Sequence, residues 1–107
     1  IAESNFTNEV QLSPNPEIEK GRVGINWTES SSPNLTSYKL LRSTSEPSNS
    51  EFYYSNPSYP AYKTLDKSTL VYQDTQVAGG STYYYRVCSV ASNNEIWCGN
   101  ILTVIVP

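Results

Sequence analysis

Apolar and polar residues alternate along most of this chain, and no segment sustains the 3.6-residue period of an amphipathic helix. Over 22–28, Val23, Ile25 and Trp27 share one face while Arg22, Gly24, Asn26 and Thr28 share the other. Tyr38 and Leu40 mark the inward face of a strand over 36–43, and Leu70 and Tyr72 alternate with Val71 and Gln73 over 69–74. From Thr82 onward, Tyr83, Tyr85 and Val87 oppose Tyr84, Arg86 and Cys88. The run 101–106 is apolar on both faces and makes the last strand; Val10 and Leu12 make a short first one that Pro14 and Pro16 terminate. Each of these patterns predicts a strand.

Turn chemistry separates the runs. Residues 30–34 form a polar loop closed by Pro33, and Gly79-Gly80 supplies the positive-φ positions of a tight turn. Residues 44–68 form a long irregular segment holding Pro47, Pro57 and Pro60, with a short edge strand expected around 59–64. About seven short strands with turns between them predict an all-β sandwich or barrel.

Composition narrows the chemistry. A chain of 107 residues suits one domain, and its formal net charge of −3 with scattered basic residues leaves no footprint for nucleic acid. The longest apolar run falls far short of the ~20 residues that a membrane helix needs, so no membrane insertion is expected. Histidine is absent, which removes the commonest general base and the commonest metal ligand. No close pair of carboxylates, activated serine or glycine-rich phosphate loop is legible, so neither catalysis, a cofactor nor a metal is expected. The chain starts at Ile1, and the expectation is a processed or excised piece.

Cys88 and Cys98 lie in a strongly β-patterned stretch, with no other ligands to make a metal site. If they face each other across a hairpin, residue 91 faces 95 and Ser92-Asn93-Asn94 is the loop, with Asn94 suited to a left-handed position. Cys88 alternates with the inward Val87, which places this disulfide on the outer face of the sheet and the protein in an oxidising, extracellular compartment. The same register turns Trp97 inward, opposite Ser89. A bulge at Gly99-Asn100 would then bring Leu102, Val104 and Val106 to the core. One aliphatic row is left on the outer face, to be covered by the long loop or by another chain.

The order of these elements carries a family resemblance. Trp27, then Ser37-Tyr38-Lys39-Leu40, then Val71-Tyr72-Gln73-Asp74-Thr75, then the run from Val77 to Val87 resembles a fibronectin type III domain, particularly those of secreted microbial proteins. The resemblance covers 9–107 and implies an immunoglobulin-like β-sandwich of about seven antiparallel strands, with 1–8 as an N-terminal extension or linker. It implies Trp27 in the core of the second strand and Val77 as the apolar plug of the turn before the sixth. It also implies that the Tyr83 hydroxyl closes that turn and that Asp74 bonds loop backbone. Tyr38, Tyr72 and Tyr85 complete the expected core.

Candidate contact residues lie elsewhere. Tyr53, Tyr54, Tyr59 and Tyr62 cluster in the irregular segment, either as a binding surface with Trp97 or folded back as a lid. Asn-X-Thr sequons make Asn5, Asn26 and Asn34 candidate N-glycosylation sites. The expected function is a non-catalytic extracellular module with a protein partner or self-association: a surface spacer, an adhesion domain or a filament subunit. The alternatives are a carbohydrate-binding accessory module of a secreted polysaccharide-degrading enzyme, and a fragment of a receptor ectodomain.

Overall fold

In the computed structural model, residues 10–13, 16–32, 34–54, 56–92 and 95–107 are described, together with the backbone of 4–6. The strands are β1 (Ser4–Phe6), β2 (Glu17–Glu19), β3 (Arg22–Asn26), β4 (Leu35–Ser43), β5 (Lys63–Asp66), β6 (Val71–Asp74), β7 (Thr82–Ala91), β8 (Ile96–Cys98) and β9 (Leu102–Ile105). They form a three-stranded sheet, β2-β3-β6, facing a six-stranded one. The larger sheet runs β1-β8-β7-β4-β5, with β9 also paired to β7. This is an all-β sandwich.

The alternating rows of the sequence become the layer between the sheets. Val23, Ile25 and Trp27 meet Tyr38, Leu40, Tyr83, Tyr85 and Val87, with Val10, Leu12, Leu102, Val104 and Val106 closing the core. Trp27 packs edge-on to Tyr38 with ring centroids 5.8 Å apart. The Tyr38 hydroxyl, buried, accepts the Ser30 N–H at 2.9 Å, which ties the loop after β3 to β4. Tyr72 is half-buried and packs on the rim of this core.

The last strand is split by a one-residue bulge. Cys98 opposes Cys88 while Leu102 opposes Tyr85, so four steps along the terminal segment span three along β7. The extra residue reverses the parity and delivers Leu102, Val104 and Val106 to the core. Gly99 sits in the bulge because the chain at Val10 crosses directly over it; a Cβ there would collide with the Val10 carbonyl. Asn100 completes the crossing: its side-chain oxygen accepts the Leu12 N–H at 2.7 Å and its amide donates to the Leu12 carbonyl at 3.2 Å. A side chain thus stands in for a rung of ladder.

The structure adds strands to the expected set and shifts others. Within 1–8, β1 pairs with β8 in parallel, and the described residues hold nine strands in all. β2 was not legible, because two of its three residues are glutamates and all are exposed. The expected first strand at Val10 and Leu12 reduces to a single bridge, Leu12 to Trp27. The edge strand lies at Lys63–Asp66 rather than around 59–64. Asn93 and Asn94 of the hairpin loop lie outside the described residues.

At the turn before β7 only Gly80 has positive φ, 80°. Gly79 is required for another reason, since a Cβ there would come within 2.8 Å of the Pro107 carbonyl oxygen. The Tyr83 hydroxyl accepts the Ala78 N–H at 2.8 Å, and Val77 packs on the core beneath. Tyr83→Phe is expected to lower stability by about 1 kcal/mol, the worth of one such bond, read as a shift of the urea midpoint at unchanged slope.

Candidate functional site

The outer face of the large sheet is open along β9, where Thr103 and Ile105 are exposed, and covered over β7, β8 and the middle of β4. Leu41, Cys88, Ile96 and Cys98 form a second buried cluster there, roofed by Phe52 from the long loop. Phe52 is fully buried and meets Tyr59 edge-on, with centroids 4.9 Å apart. Tyr53, Tyr54 and Tyr59 are half-buried around it, and the Lys39 ammonium lies 5.1 Å from the Tyr54 ring. Cys88 and Cys98 are joined beneath this roof with Cα atoms 4.0 Å apart. The disulfide is on the outer face but buried.

Arg86 holds the roof down. It is 2% exposed and lies on the outward row of β7. Its Nε donates to Gly99 O at 2.6 Å, and its Nη1 to Asn49 O and Phe52 O, both at 2.8 Å. Nη2 donates to Asn49 Oδ1 at 2.7 Å. Burial pushes its pKa down to about 10, so the guanidinium stays charged at neutral pH. One cation therefore connects the bulge before β9 to both ends of the 49–52 turn.

Where Arg86 pins the loop, a groove opens beside it. Glu46, Pro47 and Asn49 form one wall; Tyr84, Ile101 and Thr103 form the floor and the other wall, enclosing about 290 Å³.

A second polar cluster links the two sheets at their open flank. Asp74 on β6 is fully buried. Its Oδ2 accepts the Tyr85 hydroxyl at 2.6 Å and Arg42 Nη1 at 3.0 Å, and its Oδ1 accepts the Tyr62 hydroxyl at 2.9 Å and the Gln76 N–H at 3.0 Å. Arg42 lies 4.1 Å from the Tyr62 ring centroid and 5.1 Å from that of Tyr83, and also donates to Gln76 O. Burial alone would raise the Asp74 pKa; the hydrogen bonds from Tyr85, Gln76, Tyr62 and Arg42 outweigh it and hold the carboxyl below its ordinary value. Burial, and then the bond to Asp74, push Tyr62 up to about 12 and raise Tyr85 further.

The sign of the resulting pH dependence is fixed. A carboxyl whose folded pKa lies below its unfolded value contributes stability that is fully present above about pH 4 and lost as pH falls through the folded pKa. Urea titrations between pH 6 and pH 2 should show this loss, and Asp74→Asn should flatten the acid limb.

The five aromatic contact candidates are not brought together. Tyr53, Tyr54 and Tyr59 belong to the roof, whereas Tyr62 belongs to the Asp74 flank. Trp97 opposes Ser89 at the hairpin, half-buried, with its indole N–H donating to Glu95 at 3.3 Å. Asn26 and Asn34 are exposed, and the side chain of Asn5 lies outside the described residues. Arg42 and Arg86 were not singled out in the sequence, and Asn100 only as part of the bulge; each bonds backbone carbonyls of distant segments, a role that leaves no periodic trace. Among the described residues no helix is long and apolar enough to cross a membrane, and no cluster of potential ligands is placed to hold a metal ion.

No family model matches the chain, and no curated protein does. Solved structures do. Pectate lyase PelI from Erwinia chrysanthemi matches at TM-score 0.70 and 20% identity, over 90% of this chain and 28% of that one. An Fn3-like protein from Clostridium thermocellum matches at TM-score 0.62 and 21% identity, over 95% and 90% of the two chains. The sixth fibronectin type III domain of a human protein matches at TM-score 0.64 and 16% identity, over 100% and 89%. This chain thus spans little more than a quarter of the pectate lyase, but nearly the whole of the single-domain structures.

Proposed function

We propose that this chain, which has the fibronectin type III fold, is a non-catalytic extracellular module that spaces neighbouring domains and offers them a contact surface. The observation that carries the reading is the commitment of its charged interior. Asp74, Arg42 and Arg86 are each engaged by hydrogen bonds that join the sheets or pin the loop, the pattern of a structural ion-pair network. The buried disulfide suits an oxidising compartment. The match to part of a pectate lyase supports a module that is carried on larger chains.

The carbohydrate-binding alternative draws on that same match, but its tyrosines are turned to another use. A sugar platform needs aromatic faces open to solvent, whereas Tyr53, Tyr54 and Tyr59 pack around Phe52. Affinity electrophoresis through gels containing polygalacturonate, xylan or β-glucan tests the choice. The module reading expects no retardation in any gel. Retardation that Tyr54→Ala removes would transfer the function to carbohydrate binding.

A further inference from the structure

β9 pairs with β7 along one edge, and no described strand lies along the other. The Val106 N–H donates to Ser81 O, which fixes the alternation of the ladder. The backbone groups of Leu102 and Val104 face β7, and those of Thr103 and Ile105 face outward with no backbone partner among the described residues. Edge strands are usually protected by charge. β2 carries Glu17 and Glu19, β5 carries Lys63 and Asp66, and β6 ends in Asp74, while β1, Ser-Asn-Phe, is an uncharged edge of only three residues. β9 reads Leu-Thr-Val-Ile, with no charge, and Ile105 is 68% exposed.

The groove of about 290 Å³ lies beside this edge, one short side chain inward, because its Tyr84 and Thr103 oppose each other in the β7–β9 ladder. Arg86 fixes the far wall through Asn49. Tyr84 and Ile101, both half-buried, offer apolar surface, and Glu46 is exposed and forms no ion pair among the described residues.

We propose that the β9 edge and this groove together take up an extended segment of another protein, with an arginine or lysine opposite Thr103. The segment adds as a strand, its main chain bonded to Thr103 and Ile105. The aliphatic stem of the basic residue passes over Thr103 and packs on Tyr84 and Ile101, and its charged head reaches Glu46. The net charge of −3 favours a cationic partner at longer range. A second copy of this chain fits less well. Its own β9 brings no cation to Glu46. An edge of four residues between two rigid domains also buries well under the ~1,000 Å² of a stable interface. The proposal deepens the reading of the chain as a contact module and rests on it.

The probe is a short capped peptide of alternating threonine and valine with one central arginine, titrated into the isotope-labelled chain and followed by amide shifts. Shifts should centre on Tyr84, Thr103 and Ile105. The same peptide with central glutamate should bind at least ~10-fold more weakly, and Glu46→Lys should invert the preference. Thr103→Pro removes an outward N–H while sparing the bonds to β7, and should abolish binding. Equal affinity for the two peptides, shifts confined to β5 or β6, or no binding would overturn the proposal. So would self-association without peptide that Thr103→Pro removes, since the occupant would then be a second copy. Binding at another edge leaves the contact-module reading intact; no peptide binding combined with gel retardation on polysaccharide removes that as well.

Discussion

Arg86→Met should destabilise the chain by about 3–5 kcal/mol, the range for removing one partner from a buried charged network. Methionine keeps much of the aliphatic volume, so the loss isolates the donors rather than the packing. Three carbonyls, of Gly99, Asn49 and Phe52, would lose a charged donor at once, and the bonds to Gly99 and Phe52 are buried. Each is worth roughly 1–3 kcal/mol when left unpaired, and relaxation of the loop recovers part of the sum. Arg86→Lys keeps the charge but presents a single point donor, which cannot reach both Gly99 and Asn49. Its loss should be intermediate. Hydrogen exchange of the 49–52 amides separates this from a general weakening: in Arg86→Met those amides should exchange through local opening, well before the β3 and β7 amides. A variant with an unchanged midpoint and unchanged exchange would mean that the loop holds itself down.

Trp27→Ala should cost a similar amount, about 3–5 kcal/mol, by emptying the centre of the sandwich. The indole is 4% exposed and sits between Leu12, Tyr38 and the β3 row. Its Nε1 is buried and finds no acceptor among the described residues, so the native ring carries a desolvation cost of its own. Trp27→Phe should therefore be much milder than the volume change implies, because it removes the unpaired donor together with the excess bulk. The pair of variants, compared by urea midpoint and slope, tests both statements. If the phenylalanine variant were as unstable as the alanine one, the N–H would have to be satisfied in the folded chain.

Alternation told most where it was true to its cause. Val23, Ile25 and Trp27, and again Tyr83, Tyr85 and Val87, repeat every second residue because one side of each strand meets the opposite sheet. The facing of Cys88 and Cys98 and the parity change near Gly99 were legible for the same reason. Legibility failed where a sheet is buried on both sides. Tyr84, Arg86 and Cys88 read as an outward row, and nothing local to β7 decides between the two covers expected for that face, the long loop and another chain. Phe52, Tyr53, Tyr54 and Tyr59 of the loop cover this part. Proline, serine and asparagine in the long loop signalled irregular backbone, and its tyrosines fitted a lid and a binding surface equally in pattern. Tyr62 was grouped with its neighbours in sequence, yet its partners Arg42 and Asp74 belong to strands of different sheets. β1 is three residues held by a parallel ladder to β8, a pairing that local pattern does not encode.

The disulfide between β7 and β8 also shapes how this domain would behave under tension. A pull applied through the two ends enters β7 and leaves through β9, and the Cys88–Cys98 bond carries it across the hairpin covalently. Residues 89–97 therefore contribute no contour length when the sandwich is torn open. At about 3.5 Å per residue, the oxidised domain should lengthen by roughly 30 Å less than the reduced one. Single-molecule stretching in the presence and absence of reductant would measure that difference directly. Because the bond lies beneath Phe52 and the tyrosines around it, a reductant would reach it only after the first rupture. The domain would thus release its length in two instalments, the second of them chemical.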